Sequence, residues 1–258
     1  MTDPILRVGD LHIEVRSDDS VHEVVHGVSF QLAAGEILGI VGESGSGKSL
    51  TLRAMCDLLP DGVVRTAGTV EVMLPAESRR SGGSSYLGRG MAMVFQEPMT
   101  SLNPTMRIRD LVTIGPRSAG LMNKKQARAR SLDLLREVGV PDPERRLKAW
   151  PHEMSGGLRQ RIMIAMALAT EPSILLCDEP TTALDVSVQD QILRLLVSLR
   201  MSRELAIVLI THDLAVVSQV CDRVLVMRDG RVIETGATQD ILRSPKDPYT
   251  RSLIEAVS

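Results

Sequence analysis

The segment Gly42-Glu43-Ser44-Gly45-Ser46-Gly47-Lys48-Ser49 indicates how this chain folds. It matches the pattern G-x-x-x-x-G-K-[ST] at every fixed position. It follows an apolar run at 37–41 that predicts a buried parallel strand, and it opens a helix predicted from Lys48 to about Leu58. Glycines let backbone N–H groups turn toward phosphate oxygens, and the helix N-terminus adds a partial positive charge. The segment therefore predicts a phosphate-binding loop, in which Lys48 reaches the β- and γ-phosphates and Ser49 ligates Mg²⁺.

A pair of acidic residues ends another apolar run, Ile174-Leu175-Leu176-Cys177-Asp178-Glu179. In a parallel sheet the carboxyl ends of the strands share one edge, so Asp178 would lie beside Mg²⁺ held with the nucleotide. Glu179 would orient or deprotonate the attacking water. Many strands end in surface acids, and this pair gains its meaning from the phosphate loop. Together the two motifs predict hydrolysis of a nucleoside triphosphate.

A second candidate anion site lies in Met154-Ser155-Gly156-Gly157-Leu158. Ser155 would cap a helix running to about Ala169, and the glycines would leave N–H groups open to an anion. One nucleotide does not need two such turns, so we expect this turn to face the nucleotide of another subunit. The alternative is an ordinary serine cap whose glycines permit a tight turn.

Strand-like and helical patterns alternate along much of the chain, which predicts an α/β fold with a mainly parallel sheet covered on both faces. Besides the segments already named, the patterns predict strands at 6–15, 24–32, 69–74, 91–95 and 205–210, and helices at 107–114, 124–138 and 187–201. From about residue 99 to 156 the patterns are helical, which suggests an inserted helical unit.

The composition narrows the function. Of the 258 residues 43% are hydrophobic and 24% charged, which is typical of a globular protein, and the net charge of -2 does not favour nucleic-acid binding. Cys56, Cys177 and Cys221 lack metal-ligand spacing and are expected to be reduced structural thiols. The longest apolar run, 162–169, is far shorter than the roughly 20 residues of a membrane-spanning helix, so a membrane role would act through partners.

The chain resembles the ABC ATPase family over essentially its whole length. The motifs similar to those of the family, besides the phosphate loop and the acid pair, are the signature Ser155-Gly156-Gly157, the Q-loop Gln96 in Val94-Phe95-Gln96-Glu97-Pro98, the D-loop Ala183-Leu184-Asp185, and the switch His212 in Thr211-His212-Asp213. The resemblance implies a P-loop NTPase (RecA-like) α/β core with an antiparallel β subdomain and an inserted α-helical subdomain. It implies one domain, with the core and β subdomain at about 1–98 and 162–243, the helical subdomain at about 99–161, and a C-terminal tail at 244–258.

The resemblance also implies roles for individual residues. Glu179 and His212 would be catalytic, with ATP and Mg²⁺ as cofactors. The residues implied to hold Mg²⁺ are Ser49, Gln96 and Asp178. The residues implied to contact nucleotide, in this subunit or across a dimer, are Gly42, Glu43, Ser44, Gly45, Ser46, Gly47, Lys48, Ser49, Leu50, Gln96, Ser155, Gly156, Gly157 and Asp185.

The family usually stacks adenine on an aromatic residue before the phosphate loop, and here the sequence departs from that pattern. Between Leu11 and Gln31 the only aromatic residue is Phe30, on a predicted core strand. Adenine would then stack on Arg16, on His22, or on neither.

Within the family, two segments are similar to the oligopeptide, dipeptide and nickel importers. They are Phe95-Gln96-Glu97-Pro98-Met99-Thr100-Ser101-Leu102-Asn103-Pro104 and Ser244-Pro245-Lys246-Asp247-Pro248-Tyr249-Thr250-Arg251. This similarity implies import of peptides or a related solute, with nickel or a metal chelate as the alternative. The implied partners are two transmembrane permeases, a second and non-identical ATPase subunit, and an extracytoplasmic solute-binding protein, with no nucleic acid. The implied location is the cytoplasmic face of the inner membrane. A soluble ABC ATPase outside transport is the alternative from another class.

Overall fold

The computed structural model describes residues 3–17, 20–73, 87–88, 90–96, 101–182 and 184–256. Within these ranges the strands are β1 (Pro4–Ser17), β2 (Ser20–Ala33), β3 (Ile37–Val41), β4 (Val63–Val72), β5 (Met91–Val94), β6 (Ile174–Asp178), β7 (Ala206–Ile210), β8 (Arg223–Arg228) and β9 (Arg231–Ala237). The helices are α1 (Lys48–Met55), α2 (Ile108–Leu111), α3 (Ile114–Ser118), α4 (Lys124–Glu137), α5 (Pro143–Arg146), α6 (Gly156–Leu168), α7 (Val186–Arg203), α8 (Leu214–Val220), α9 (Thr238–Arg243) and α10 (Pro248–Glu255).

The larger sheet carries the phosphate loop and has the strand order β5-β6-β7-β3-β8-β9. Its first five strands in this order are parallel, and β9 pairs antiparallel with β8. The strands β3, β6 and β7 are buried at every position, as short strands covered on both faces must be. The predicted parallel sheet is confirmed.

Two hydrophobic clusters cover the faces of this sheet. On β7, Ile207 and Leu209 belong to one cluster, and Val208 and Ile210, on the opposite face of the strand, belong to the other. The first cluster includes apolar residues of α2, α4, α6 and α7, and the second includes those of β1, β2 and α1. Cys56, Cys177 and Cys221 form no disulfide and are buried within these clusters, as expected for structural thiols.

The smaller sheet is antiparallel, with the order β2-β1-β4. It confirms the first two predicted strands, but β4 begins at Val63, well before the predicted start at residue 69. The stretch 65–68, Arg-Thr-Ala-Gly, lacks apolar alternation. It is extended because it pairs with β1, where Val15 lies opposite Val63 and Ile13 opposite Arg65. The extended conformation of this segment therefore comes from backbone pairing with β1, and the pattern of its side chains does not predict it.

Two predicted helices end differently in the structure. Helix α1 stops at Met55, because Asp57 adopts a left-handed backbone with φ 55° and the N–H of Leu58 donates to the carbonyl of Arg53 at 2.9 Å. This is a Schellman motif. The helix predicted at 107–114 is instead the two short helices α2 and α3. Pro116 lacks the N–H that would continue the first helix through Val112.

The stretch 101–161 contains helices and, in these described residues, no strand. Helix α6 runs without a break across the boundary at 161/162. The boundary at 98/99 falls on residues outside the described part. The division into subdomains therefore stays a prediction. In the described portion, the structure has no helix that combines the length and the apolar character needed to cross a membrane.

Candidate nucleotide-hydrolysis site

The phosphate loop joins β3 to α1, as predicted. Gly42 has a φ of 150°, and a Cβ there would lie 2.1 Å from the carbonyl oxygen of Met227, so only glycine fits this close approach. Helix α1 begins after Gly47, which offers no capping side chain. The N–H groups of Ser49 and Leu50 donate to no group in the described chain. They are available to the oxygens of an anion.

Lys48 is buried beneath this loop. Its Nζ donates to the carbonyl oxygens of Gly42 at 2.8 Å and Glu43 at 2.7 Å, and to Oγ of Ser46 at 3.2 Å. Burial lowers the pKa of Lys48, and the nearby carboxylates of Glu179 and Asp178 act in the opposite direction. A positive charge held at the centre of a loop of free N–H groups is suited to bind phosphate.

Ser49 and Asp178 meet where α1 and β6 approach each other. Oγ of Ser49 donates to Oδ1 of Asp178 at 2.8 Å, and the Asp178 residue is only 1% exposed. The other oxygen, Oδ2, is buried and has no hydrogen-bond partner in the described residues. Burial raises the pKa of the Asp178 carboxyl. A buried carboxylate oxygen without a donor, beside a hydroxyl with free lone pairs, fits a hard cation such as Mg²⁺.

Three side chains converge on one oxygen of Glu179. Its Oε2 accepts from Oγ1 of Thr182 at 2.7 Å and from Nε2 of Gln96 at 3.3 Å, and it lies 3.4 Å from Nδ1 of His212. The backbone of Glu179 is left-handed, with φ 46°. Such a backbone in a residue other than glycine is strained, and its occurrence here motivates a functional role for this carboxylate. The structure thus brings together three residues that are far apart in the sequence: Gln96, Glu179 and His212.

Thr182 is a site residue that the sequence reasoning missed. A signal was available, because Glu179-Pro180-Thr181-Thr182 has proline at the second position of a four-residue turn. The N–H of Thr182 donates to the carbonyl of Glu179 at 3.4 Å, which closes this turn. The turn carries the Thr182 hydroxyl back to the carboxylate three residues earlier.

The turn at Ser155 lies apart from the phosphate loop in the hydrogen-bond network. Oγ of Ser155 accepts from the N–H of Leu158 at 3.4 Å and caps α6. Ser155 and Gly156 are exposed, and no hydrogen bond joins residues 155–157 to residues 42–49 in the structure as described. A Cβ on Gly157 would lie 2.5 Å from Val188, so this glycine lets α6 approach α7. The turn is a serine cap, which both interpretations predicted, and a role toward a partner's nucleotide stays a prediction.

Asp185 is an exposed helix cap. Its Oδ1 accepts from Oγ of Ser187 at 2.8 Å and from the N–H of Val188 at 3.0 Å. Both hydrogen bonds lower the pKa of the Asp185 carboxyl, and the bond from Ser187 contributes more. Val186 beside it is 84% exposed, unusual for an apolar side chain. Ala183, Glu97 and Pro98, which completed the predicted D-loop and Q-loop motifs, lie outside the described residues.

The side chains that the sequence offers for stacking on adenine differ in their exposure. Phe30 is buried on β2, so its ring is not offered to a base. Arg16 and His22 are both exposed, and Arg16 is held by Oε2 of Glu14 at 3.0 and 3.2 Å. The contact made by adenine stays a prediction, with Arg16, His22 or neither residue as the alternatives.

These features define the class of protein. A phosphate loop lies between a buried parallel strand and a helix, and an acid pair at the end of another strand of the same sheet reaches it. This combination is that of a P-loop nucleoside triphosphatase. Within that class, the chain belongs to the ABC transporter family, because residues 25–182 match the family model described as ABC transporter.

Known relatives match along nearly the whole chain. The chain is 44% identical to the probable peptide ABC transporter ATP-binding protein y4tR of Sinorhizobium fredii, over 99% of this chain and 77% of that protein. It is 44% identical to the dipeptide transport ATP-binding protein DppD of Bacillus subtilis, over 98% of this chain and 76% of that protein. A dimeric post-hydrolysis structure of the ATP-binding cassette MJ0796, bound to ADP and Pi, has a TM-score of 0.74 and 26% identity, over 90% of this chain and 98% of that one.

The predicted fold class is therefore confirmed as an ATP-binding cassette with an antiparallel β sheet beside the P-loop core. The chain is an ABC ATPase that binds ATP and hydrolyses it to drive transport.

Proposed function

We propose that this chain is the ATP-hydrolysing subunit of an importer for peptides. The observation that carries the hydrolytic role is the contact of Ser49 with Asp178, with the carboxylate of Glu179 at the next position. The transported class is supported by y4tR and DppD, whose names state peptide and dipeptide transport. No observation among the described residues favours nickel over peptides.

Hydrolysis follows from the positions of these groups. The phosphates of ATP take the place of the Glu43 carbonyl and the Ser46 hydroxyl that Lys48 now holds, while the Gly42 carbonyl keeps its bond to Lys48. The free N–H groups of α1 bind the phosphate oxygens. Ser49 and Asp178, with Gln96, are proposed to hold Mg²⁺, which when bound neutralises charge on the phosphates.

Glu179 is proposed as the base. Water attacks the γ-phosphorus, its proton passes to the Glu179 carboxylate, and the bond from the γ-phosphorus to the bridging oxygen of ADP breaks. Thr182 and Gln96 donate to Oε2 and so orient the carboxylate. The other oxygen accepts no hydrogen bond from the described residues and is the proposed acceptor of the proton. His212 is exposed beside the carboxylate and is proposed to contact the γ-phosphate.

The working unit is proposed to be a dimer with a second, non-identical ATPase. The support is the exposure of two elements that the catalytic site does not use: the Ser155 turn, and Asp185 with its exposed neighbour Val186. Each subunit would offer its Ser155 turn to the nucleotide held in the other. The related MJ0796 cassette was solved as a dimer.

Two permease subunits are proposed to dock beside Gln96. An apolar cavity of about 640 Å³ opens there, lined by Phe95, Met93 and Met163. Ile114 and Leu121 on its rim are 39% and 47% exposed. A permease segment in this cavity would sense movement of Gln96 through the neighbouring Phe95. This docking would place the chain at the cytoplasmic face of the membrane, with a solute-binding protein on the opposite side.

The test is uptake by cells that lack the chain and receive it back in wild-type or Glu179→Gln form. Wild-type protein is expected to restore uptake of a labelled dipeptide, to purify from membranes with two permeases, and to leave Ni²⁺ uptake unchanged. The Glu179→Gln protein is expected to assemble equally well and to restore no uptake. Restored uptake of ⁶³Ni²⁺ alone would replace the peptide assignment, and purification with ribosomes or DNA instead of permeases would overturn the transport role.

A further inference from the structure

The C-terminal segment, residues 244–256, returns to the phosphate loop and is fixed there by two carboxylates. The Glu234 side chain on β9 accepts from the N–H groups of Lys246 at 2.8 Å and Asp247 at 3.1 Å. Oδ1 of Asp247 accepts from the N–H of Tyr249 at 2.8 Å and caps α10, and Pro248 occupies the first helical position. The start of α10, and with it Tyr249, is therefore held in one backbone conformation.

Tyr249 is buried between this helix and the loop, at 7% exposure. The guanidinium of Arg228 lies 4.8 Å from the centre of its ring, a cation–π distance. The phenolic oxygen accepts from the N–H of Glu43 at 3.0 Å, across 206 residues of sequence. Burial raises the pKa of the Tyr249 hydroxyl, so the group stays neutral at physiological pH.

This hydrogen bond completes a clamp on a single peptide group of the phosphate loop. The group joins Gly42 to Glu43, and its carbonyl oxygen already accepts from Lys48 at 2.8 Å. Its N–H side is held by Tyr249. Because residue 42 is glycine, rotation of this peptide group costs little conformational energy, and rotation would break both hydrogen bonds. The loop needs such a constraint, because Ser44 and Gly45 at its tip are exposed.

We infer that Tyr249 is a positioning residue that holds the phosphate loop in its nucleotide-binding conformation through the N–H of Glu43. Tyr249 touches no reacting atom. It raises the fraction of loops that are ready to bind, and the apparent dissociation constant falls by the same factor. The inference rests on the proposed role of this loop in nucleotide binding, and it gives the C-terminal segment a part in the active site.

The test compares wild-type protein with Tyr249→Phe, which keeps the ring and removes the hydroxyl. We expect the dissociation constant for a fluorescent ATP analogue to rise about two- to tenfold, the range that one neutral hydrogen bond supports. In the membrane complex KM for ATP should rise by a similar factor at unchanged kcat, because bound nucleotide orders the loop. The amide resonance of Glu43 should move in the ¹⁵N–¹H spectrum of the isolated chain.

Ser252→Ala is the matched control, because it removes a hydroxyl from the same helix whose bond goes to the Tyr249 carbonyl and not to the loop. It should change neither affinity nor the Glu43 resonance. If Tyr249→Phe does not fold, Arg228→Gln tests the inference instead, because it removes the cation–π contact on the Tyr249 ring and leaves the hydroxyl in place. It is expected to move the Glu43 resonance and to raise the dissociation constant.

An unchanged dissociation constant and an unmoved Glu43 resonance, in whichever of these variants folds, would overturn the inference alone. Wild-type protein that binds no nucleotide would instead overturn the proposed function of the loop.

Discussion

Oγ of Ser49 lies 2.8 Å from Oδ1 of Asp178, although 129 residues separate them in the sequence. The contact joins the first turn of α1 to the end of β6, two strands away from β3 in the sheet. It brings the phosphate loop and the acid pair into one site. The unpaired Oδ2 of Asp178 beside it is the position at which a cation would be stabilised.

Replacing Glu179 by glutamine keeps the shape of the site and removes the base. We expect ATP to bind with near wild-type affinity, turnover to fall by about 10² or more, and an ATP-bound dimer to accumulate. Steady-state phosphate release from the assembled transporter measures the loss. Glu71→Gln, an exposed carboxylate on β4, is the control and should hydrolyse normally. Near-normal hydrolysis by Glu179→Gln would remove this residue from the mechanism.

Thr182→Val tests whether the hydroxyl orients the base. Valine has nearly the same shape but cannot donate to Oε2 of Glu179, so kcat should fall about three- to tenfold, equivalent to roughly 1 kcal/mol. Thr182→Ser restores a donor and should recover most of the activity. Equal kcat values for the valine and serine variants would show that the 2.7 Å hydrogen bond has no catalytic effect.

The Ser155 turn can be tested with two substitutions that both cap helices well. Aspartate and asparagine are similar in size and are both strong N-caps, so α6 should remain intact in Ser155→Asp and Ser155→Asn. Only aspartate places a negative charge where we propose that the partner's γ-phosphate lies. We expect Ser155→Asp to bind ATP normally as an isolated chain and to lose hydrolysis in the complex, at least tenfold relative to Ser155→Asn. Equal hydrolysis by the two variants would contradict the composite site.

The anchoring of the C-terminal segment should depend on pH through Glu234. Burial acts to raise the pKa of this carboxyl, but the hydrogen bonds donated to it, including those from Lys246 and Asp247, bring the pKa below its ordinary value of 4.5. A lowered pKa in the folded state means that the stabilisation is complete above pH 4.5 and is lost as the pH falls through the folded-state value. The amide resonances of Lys246 and Asp247 should therefore titrate with a midpoint below 4.5.

Glu234→Gln supplies the comparison for this titration, because glutamine still accepts hydrogen bonds but does not ionise. Its Lys246 and Asp247 resonances should show no such transition. A midpoint above 4.5 in the wild-type chain would mean that burial outweighs the hydrogen bonds at this carboxylate.

The sequence by itself determined the parts of this site that are contiguous. The pattern from Gly42 to Ser49 specifies one loop geometry, because the glycines, the lysine and the start of the following helix all lie within eight consecutive residues. The acid pair Asp178 and Glu179 directly follows an apolar run, and the phosphate loop elsewhere in the sequence gave this less specific pattern its meaning. In both cases a local pattern specifies a local structure, and the family resemblance added the order of the motifs.

Only the tertiary structure decided which distant groups meet. The convergence of Gln96 and His212 on Glu179, and the contact of Tyr249 with the Glu43 N–H, depend on the order of strands in the sheet and on the path of the C-terminal segment. Strand β4 shows the same limit, because its extended backbone at 63–68 comes from pairing with β1. Hydrogen bonds between segments far apart in the chain form only when the whole sheet closes, and no local sequence pattern records their partners.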